Sequence, residues 1–520
     1  MALRKVKTEN GWVQGAPSGN TAVSVFRSIP YAAPPVGANR WKAPQPHDNW
    51  DGVYDAGRFH PIAAQAIEDH AFYSNEFYRF REEMDEDCLY LNIWTPAVTA
   101  EEKLPVMFFI HGGGFRSGYS YEIYEDGDAY GRNGVILITF DYRLGCLGYL
   151  AHPLLMGESE HQASGNYGLL DQIAALKWVR RNIAAFGGDP DNITISGQSA
   201  GSVSVLNMVT SPLTEGDIAK AIMQSGGGYG GNRLCTIPML SLTEAEKVGE
   251  DVFELLGVHT LDEARALPWQ RIVEAELTYS NSHNGFLFAP VADGYAQPVS
   301  CDDAIEALQV RNIPYIVGMN ANENGSYAAV AVEPEEAYRR QVRAMLGDHA
   351  DAFLEVIGMD EDPICAAAHG GLSDMIQPVM LAWCDFMAKQ KDRRPSYLYY
   401  FNRDMPGDDH VGAYHSAELW YTFKTIHRCW RPMQGIDYHL ADVMNDYWCN
   451  FARTGDPNGK GLPYWTPYSS ANRAGMELGE RIGMLDDPGA ARTHFLRDYI
   501  MGSWAAFDTF SSLIQPENCQ

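Results

Sequence analysis

Continuous apolar runs, not alternating ones, are the first regularity along this chain. Residues 105–110 form one run, which stops at His111-Gly112-Gly113-Gly114, and residues 135–140 form another, which stops at Asp141-Tyr142-Arg143. Runs that are apolar on both faces predict strands covered by helices on each side, as in a parallel sheet. Leu176, Val179, Ile183 and Phe186 then fall at i, i+3, i+7 and i+10, which predicts one buried helix face. Gly187-Gly188-Asp189-Pro190 ends that helix. Residues 192–196 read as a strand and 200–208 as the start of a helix; 314–318 and 397–401 read as further strands, with helices around 335–346 and 375–389. Near the start, residues 23–26 are a short strand followed by a Pro-rich turn at 29–35. This alternation predicts an α/β chain built on a doubly wound, mostly parallel central sheet with helices on both faces. A single domain is expected over 1–520, with a mostly helical stretch from about 243 to 377 lying outside the sheet.

Composition narrows the partners. The 520-residue chain is 46% hydrophobic and 20% charged, an ordinary globular balance. Its 67 Asp and Glu against 39 Lys and Arg give a formal charge of −28. Such an excess repels phosphate backbones and anionic bilayers, so neither nucleic acid nor a membrane surface is an expected partner. The first residues are basic but lack an apolar stretch behind them, and no run reaches the ~18 apolar residues of a membrane span. The nine cysteines are scattered, with no Cys-x-x-Cys pair, and their odd number leaves at least one unpaired. A reduced, cytoplasmic protein without a disulfide framework or a zinc site is the expectation.

Gly197-Gln198-Ser199-Ala200-Gly201 fits Gly-x-Ser-x-Gly and joins a predicted strand to a predicted helix. A nucleophile needs that placement. The sharp turn strains the serine backbone, small neighbours tolerate it, and the hydroxyl projects at the positive end of the following helix. The Ala200 N–H then points to where an oxyanion forms, and the exposed amides of Gly113 and Gly114 supply two further donors. With 15 histidines and 67 acids, spacing alone selects neither a base nor an acid.

Several stretches, taken in order, resemble the type-B carboxylesterase/lipase family of α/β-hydrolases, which includes the cholinesterases. They run from Phe26-Arg27-Ser28-Ile29-Pro30-Tyr31-Ala32 through Glu86-Asp87-Cys88-Leu89-Tyr90-Leu91-Asn92, the His111–Phe115 glycines and Asp141-Tyr142-Arg143-Leu144-Gly145. Phe186-Gly187-Gly188-Asp189-Pro190, the serine elbow and Met223-Gln224-Ser225-Gly226 complete the series. The resemblance covers essentially the whole chain and most resembles the bacterial cytosolic carboxylesterases. It implies that Glu323, in Gly318-Met319-Asn320-Ala321-Asn322-Glu323, is the orienting acid, and that His415, in His415-Ser416-Ala417-Glu418-Leu419, is the base. His410 is the nearest competitor for the base, Asp293 reads as structural, and Ser225 resembles a supporting residue that hydrogen-bonds near the triad.

Three departures bear on substrate and location. Cys88 is the first cysteine, and Ala63 or Ala64 stands where secreted relatives keep its partner. Tyr78 stands where cholinesterases hold a quaternary ammonium on tryptophan, so choline esters are disfavoured. Gln198 replaces a glutamate beside the nucleophile. The implied activity is two-step acyl transfer on small to medium esters, without metal or organic cofactor, rising with pH as His415 becomes neutral. The glycines of 226–231 suggest room for bulky or aromatic acyl groups, and Trp420, Tyr421 and Phe423 are candidate gorge residues. Feruloyl-type esterase, lipase and amidase chemistry use the same triad, and non-catalytic adhesion relatives are a remote alternative. Oligomeric state is not legible.

Overall fold

A computed structural model describes residues 2–66, 71–79, 82–283, 285–325 and 335–502. Eleven strands form the central sheet: β1 (Ala16–Pro17), β2 (Ser24–Pro30), β3 (Tyr90–Thr95), β4 (Leu104–Ile110), β5 (Ile136–Phe140), β6 (Gly188–Gln198), β7 (Lys220–Gln224), β8 (Tyr315–Asn320), β9 (Ser396–Phe401), β10 (Ala474–Leu478) and β11 (Ile482–Asp486). Their spatial order is β11-β10-β9-β8-β7-β6-β4-β5-β3-β2-β1. From β5 across to β10 every neighbouring pair is parallel, and the strands flanking that block are antiparallel. The fold is that of an α/β-hydrolase, with β4 and β6 at its centre.

The apolar runs divide by parity, as the pleat requires. Val106, Phe108 and Ile110 of β4 face one core, shared with the helices Tyr167–Asn182 (α1), Ala200–Thr210 (α2) and Leu372–Ala388 (α3). Met107 and Phe109 face the other, with Gly435–Thr454 (α4). The same alternation recurs in β5, where Ile136 and Ile138 oppose Leu137. A polar residue at either parity would sit in a core, which is why the strands are recognisable in the sequence.

Leu176, Val179, Ile183 and Phe186 are fully buried together, but the α-helix stops at Asn182 and its last turn tightens into a 3-10 turn. Gly187, at φ 82°, supplies the left-handed residue that turns the chain into β6. Between 243 and 377 the helices Leu242–Leu256, Trp269–Ser282 and Glu335–Leu346 predominate. The expectation that this stretch lies outside the sheet is corrected at one place: β8 runs through it and pairs with β7 and β9. The reason is two-sided burial: Tyr315, Val317 and Met319 pack into one core and Ile316 into the other, as a central strand requires. Phe108→Ala is expected to lower the unfolding free energy by about 3–5 kcal/mol. Urea melts of the two proteins measure this, and a loss below about 1 kcal/mol would contradict full burial at the sheet centre.

Candidate active site

Strand ends bring the three sequence-distant groups to one edge of the sheet. Ser199 follows β6 at once, with φ 57° and ψ −125°, and caps α2. Few residues other than glycine hold such a backbone, so it persists only where the surroundings over-determine it. Here they do. The Ser199 N–H donates to Gln224 O at 2.9 Å, and Val203 N–H donates back to Ser199 O at 3.0 Å. A Cβ on Gly201 would lie 2.0 Å from the Ile110 carbonyl oxygen, and one on Gly197 would lie 2.2 Å from Gly201 O. The two elbow glycines are therefore required by backbone contact between β4, β6 and α2.

The loops bearing Glu323 and His415 are tied to each other before they reach the serine. Asn322 N–H donates to Ala413 O at 3.2 Å, and Ala413 N–H donates to the Asn322 side-chain oxygen at 3.0 Å. Asn320 donates its side-chain amide to Tyr414 O and its backbone N–H to Glu323 Oε1, both at 2.8 Å. Within that frame Glu323 Oε2 stands 2.7 Å from His415 Nδ1, and both side chains are buried. A proton on Nδ1 shared with the carboxylate leaves Nε2 as the basic nitrogen. The Gln198 amide nitrogen approaches Nε2 to 3.3 Å. Ser199 and His415 line the same cavity, of about 160 Å³, which also holds Gly113 and Gly114. None of the described hydrogen bonds uses the N–H of Gly113, Gly114 or Ala200. Gly113 at φ 107° and Gly114 at φ 65° adopt backbones that favour glycine.

The competing candidates separate cleanly. His410 is exposed, whereas Asp293 accepts the Tyr295 and Gln297 N–H groups of its own turn. Ser225 is buried beside the Tyr399 phenol with its backbone N–H bonded to Gly318 O at 2.9 Å. Three expectations are corrected. Trp420 does not line the cavity: it is fully buried and stacks behind Phe77, at 5.6 Å between ring centroids. Tyr421 and Phe423 are core residues too, Tyr421 donating to Asp437 at 2.8 Å. Tyr78 has a left-handed backbone, φ 49°, and its neighbours Phe77 and Arg79 line the cavity in its place. Gly227, Gly228 and Gly230 line a second cavity, of about 240 Å³, instead of the one at Ser199. They are glycine because backbone crowds them: a Cβ on Gly228 would lie 2.5 Å from Val379 O.

Other cavity residues escaped the sequence reading. Tyr73, Phe77 and Arg79 come from the helix Ala71–Glu76 and the turn after it. Glu76 anchors that segment, accepting from Arg431 at 2.8 Å and from the Tyr414 hydroxyl at 2.5 Å, one residue before His415. Phe286, Leu372 and Ile376 supply an apolar wall from distant segments. Glu418, within the same motif as His415, had a usable signal. It is fully buried and takes a 2.6 Å bond from Asn320.

Comparison with known proteins assigns this site to a class. The model of the carboxylesterase family matches residues 2–361 and 371–496. The chain belongs to the carboxylesterase family. A fumonisin B1 esterase from Sphingopyxis macrogoltabida is 34% identical over 92% of this chain and 86% of its own. A phenmedipham hydrolase from Pseudarthrobacter oxydans is 32% identical over 88% and 91%. A solved PNB esterase superposes with a TM-score of 0.82 at 29% identity, over 95% of this chain and 99% of its own. The protein is a carboxylic ester hydrolase. Among the described residues no helix of this carboxylesterase is long and apolar enough to cross a membrane.

Burial first, and the charge of Glu323 second, push the Glu418 carboxyl from 4.5 up to about 7. Below pH 4.5 folded and unfolded chains both carry this proton; between 4.5 and about 7 only the folded chain keeps it. That contribution to stability therefore declines as pH rises through the window and levels off above it. Glu418→Gln is expected to flatten this part of the dependence of Tm on pH in the carboxylesterase. A slope identical to the wild type would show that Glu418 ionises normally.

Proposed function

We propose that Ser199 is the nucleophile of a serine esterase in which His415 is the base and Glu323 orients it. The 2.7 Å pairing of Glu323 with His415, in one cavity with a strained Ser199, carries this reading. His415 Nε2 takes the Ser199 proton as the hydroxyl attacks the ester carbonyl, and Glu323 stabilises the resulting imidazolium. The N–H groups of Gly113, Gly114 and Ala200 meet the developing oxyanion. The alcohol departs with the proton from His415, and water then hydrolyses the acyl-enzyme by the same groups in reverse.

Gln198 modulates the base. Its amide nitrogen lies 3.3 Å from His415 Nε2, so the residue beside the nucleophile brings a neutral donor rather than a charge to the base. The cavity volume and the apolar wall of Ile237, Phe286, Leu372 and Ile376 favour small to medium esters with one alkyl or aryl arm. The seven described cysteines whose pairing is resolved are all free thiols, which supports a reducing, cytoplasmic setting.

Ser199→Ala is expected to lower kcat on para-nitrophenyl butyrate by about 10⁴-fold or more and to abolish covalent labelling by an organophosphate. Glu323→Gln is expected to keep the labelling site but to cost about 10²–10⁴-fold in kcat. Undiminished turnover in the serine variant, followed by a stopped assay and intact mass, would remove Ser199 from the mechanism.

A further inference from the structure

Two cavities adjoin beside the elbow. The one at Ser199, of about 160 Å³, and the second, of about 240 Å³, share Thr236 and Ile237 in their walls. Three stretches of chain run from the first to the second. Helix α2 begins after Ser199, and one and two turns later Val203 and Leu206 line the second cavity. Helix α3 gives Leu372 and Ile376 to the first cavity and Val379, in the next turn, to the second. A Cβ on Gly226 would lie 2.5 Å from Ser199 O, and Gly227 and Gly228 line the second cavity. We propose that the substrate's acyl arm is a long unbranched chain that passes Thr236 and Ile237 and lies in the second cavity along α2. This rests on the assignment of Ser199 as nucleophile and specifies what that site accepts.

The three stretches are fastened to one another. The Ser202 hydroxyl donates to Gly226 O at 2.5 Å, and the Tyr229 N–H donates to Val379 O at 3.0 Å. The residues between the cavities form a thin partition. The Thr236 hydroxyl donates to Met375 O at 3.3 Å, which pins that residue to α3. Ile237 is half-buried, and none of the described backbone hydrogen bonds holds it. A chain therefore meets one tethered side chain and one that can turn aside by changing rotamer.

The lining selects the occupant. Val203, Leu206, Leu234, Pro238, Met239 and Val379 present hydrocarbon to the second cavity. Its polar groups are turned to protein partners. Asn207 donates its amide to Val203 O at 2.8 Å, and Arg233 donates to Tyr499 O. Asp302 accepts the Gly230 and Asn232 N–H groups at 3.0 and 2.8 Å. An ionic arm would lose its water there without a matching partner, whereas every methylene gains by burial. The arm in question is the acyl one, because the acyl carbon becomes bonded to Ser199 at the head of α2 while the alcohol departs with the His415 proton. At about 1.5 Å of rise per residue, Leu206 stands roughly 10 Å along α2 from Ser199. With carbon–carbon bonds of about 1.5 Å, straight chains of octanoyl length or more reach it.

Two ester pairs test this: para-nitrophenyl butyrate against para-nitrophenyl decanoate, and butyl acetate against decyl acetate, all below micelle-forming concentrations. The expected kcat/KM is about tenfold or more higher for decanoate than for butyrate, since each buried methylene is worth up to about fourfold. Met239→Trp and Leu206→Phe, which fill the second cavity from the loop and from α2, are each expected to cut that ratio severalfold. A wild-type ratio at or below one, a ratio unchanged by both variants, or a chain-length gain confined to decyl acetate would overturn the proposal. A crystal structure of the wild-type enzyme with a decylphosphonyl group on Ser199 gives a readout that no folding defect in a variant affects. The chain is expected beside Val203 and Leu206, and a chain directed elsewhere overturns the proposal. Absence of a chain-length preference while butyrate is still cleaved defeats only this inference, whereas cleavage persisting in Ser199→Ala defeats the nucleophile assignment beneath it.

Discussion

Backbone contact at the centre of the sheet is the constraint on which the rest of the molecule depends. The Ile110 carbonyl, Gly197 and Gly201 meet at distances that leave no space for a side chain. Close approach there forces β6 to pass into α2 within one residue, and Ser199 absorbs the turn in a strained conformation. The strain is affordable because β4, β6 and β7 are locked in register on both sides and α2 is buried along its whole length. A looser centre would relax the serine into an ordinary turn and lose its projection from the sheet.

Glu323 and His415, the proposed acid and base, reach that point by a second, separate device. Asn320 and Asn322 fasten the loop after β8 to residues 413 and 414, so Glu323 and His415 arrive as a preassembled pair. The segment bearing Tyr73, Phe77 and Arg79 is then fastened to the base loop through Glu76. The cavity wall and the Glu323–His415 pair are therefore joined in one hydrogen-bonded frame. Misplacing a base by a fraction of an ångström is costly to catalysis, which gives such cross-bracing its value.

Charge is arranged on two scales. Across the whole chain the acids dominate and keep the surface solvated. Around the cavity Glu122 and Glu276 pair with Arg79 and Arg116, and deeper in the core burial pushes the Glu418 carboxyl up to about 7. Neither effect follows from net charge, because each depends on which groups are buried next to one another.

The sequence by itself determined the parts governed by local periodicity and local backbone needs. Strands β4, β5, β6, β8 and β9 were legible because both their faces are buried, and the elbow was legible because its glycines stand adjacent in the chain. Resemblance to a family supplied Glu323 and His415, which spacing among 15 histidines and 67 acids did not. Tertiary structure alone decided which rings face the cavity. Trp420 and Phe77 are equally aromatic, yet one is core and the other wall, and a single left-handed residue at 78 exchanges Tyr78 for its neighbours. Side-chain direction in a loop depends on contacts from segments hundreds of residues away, such as Glu76 with Arg431, and no local pattern encodes those.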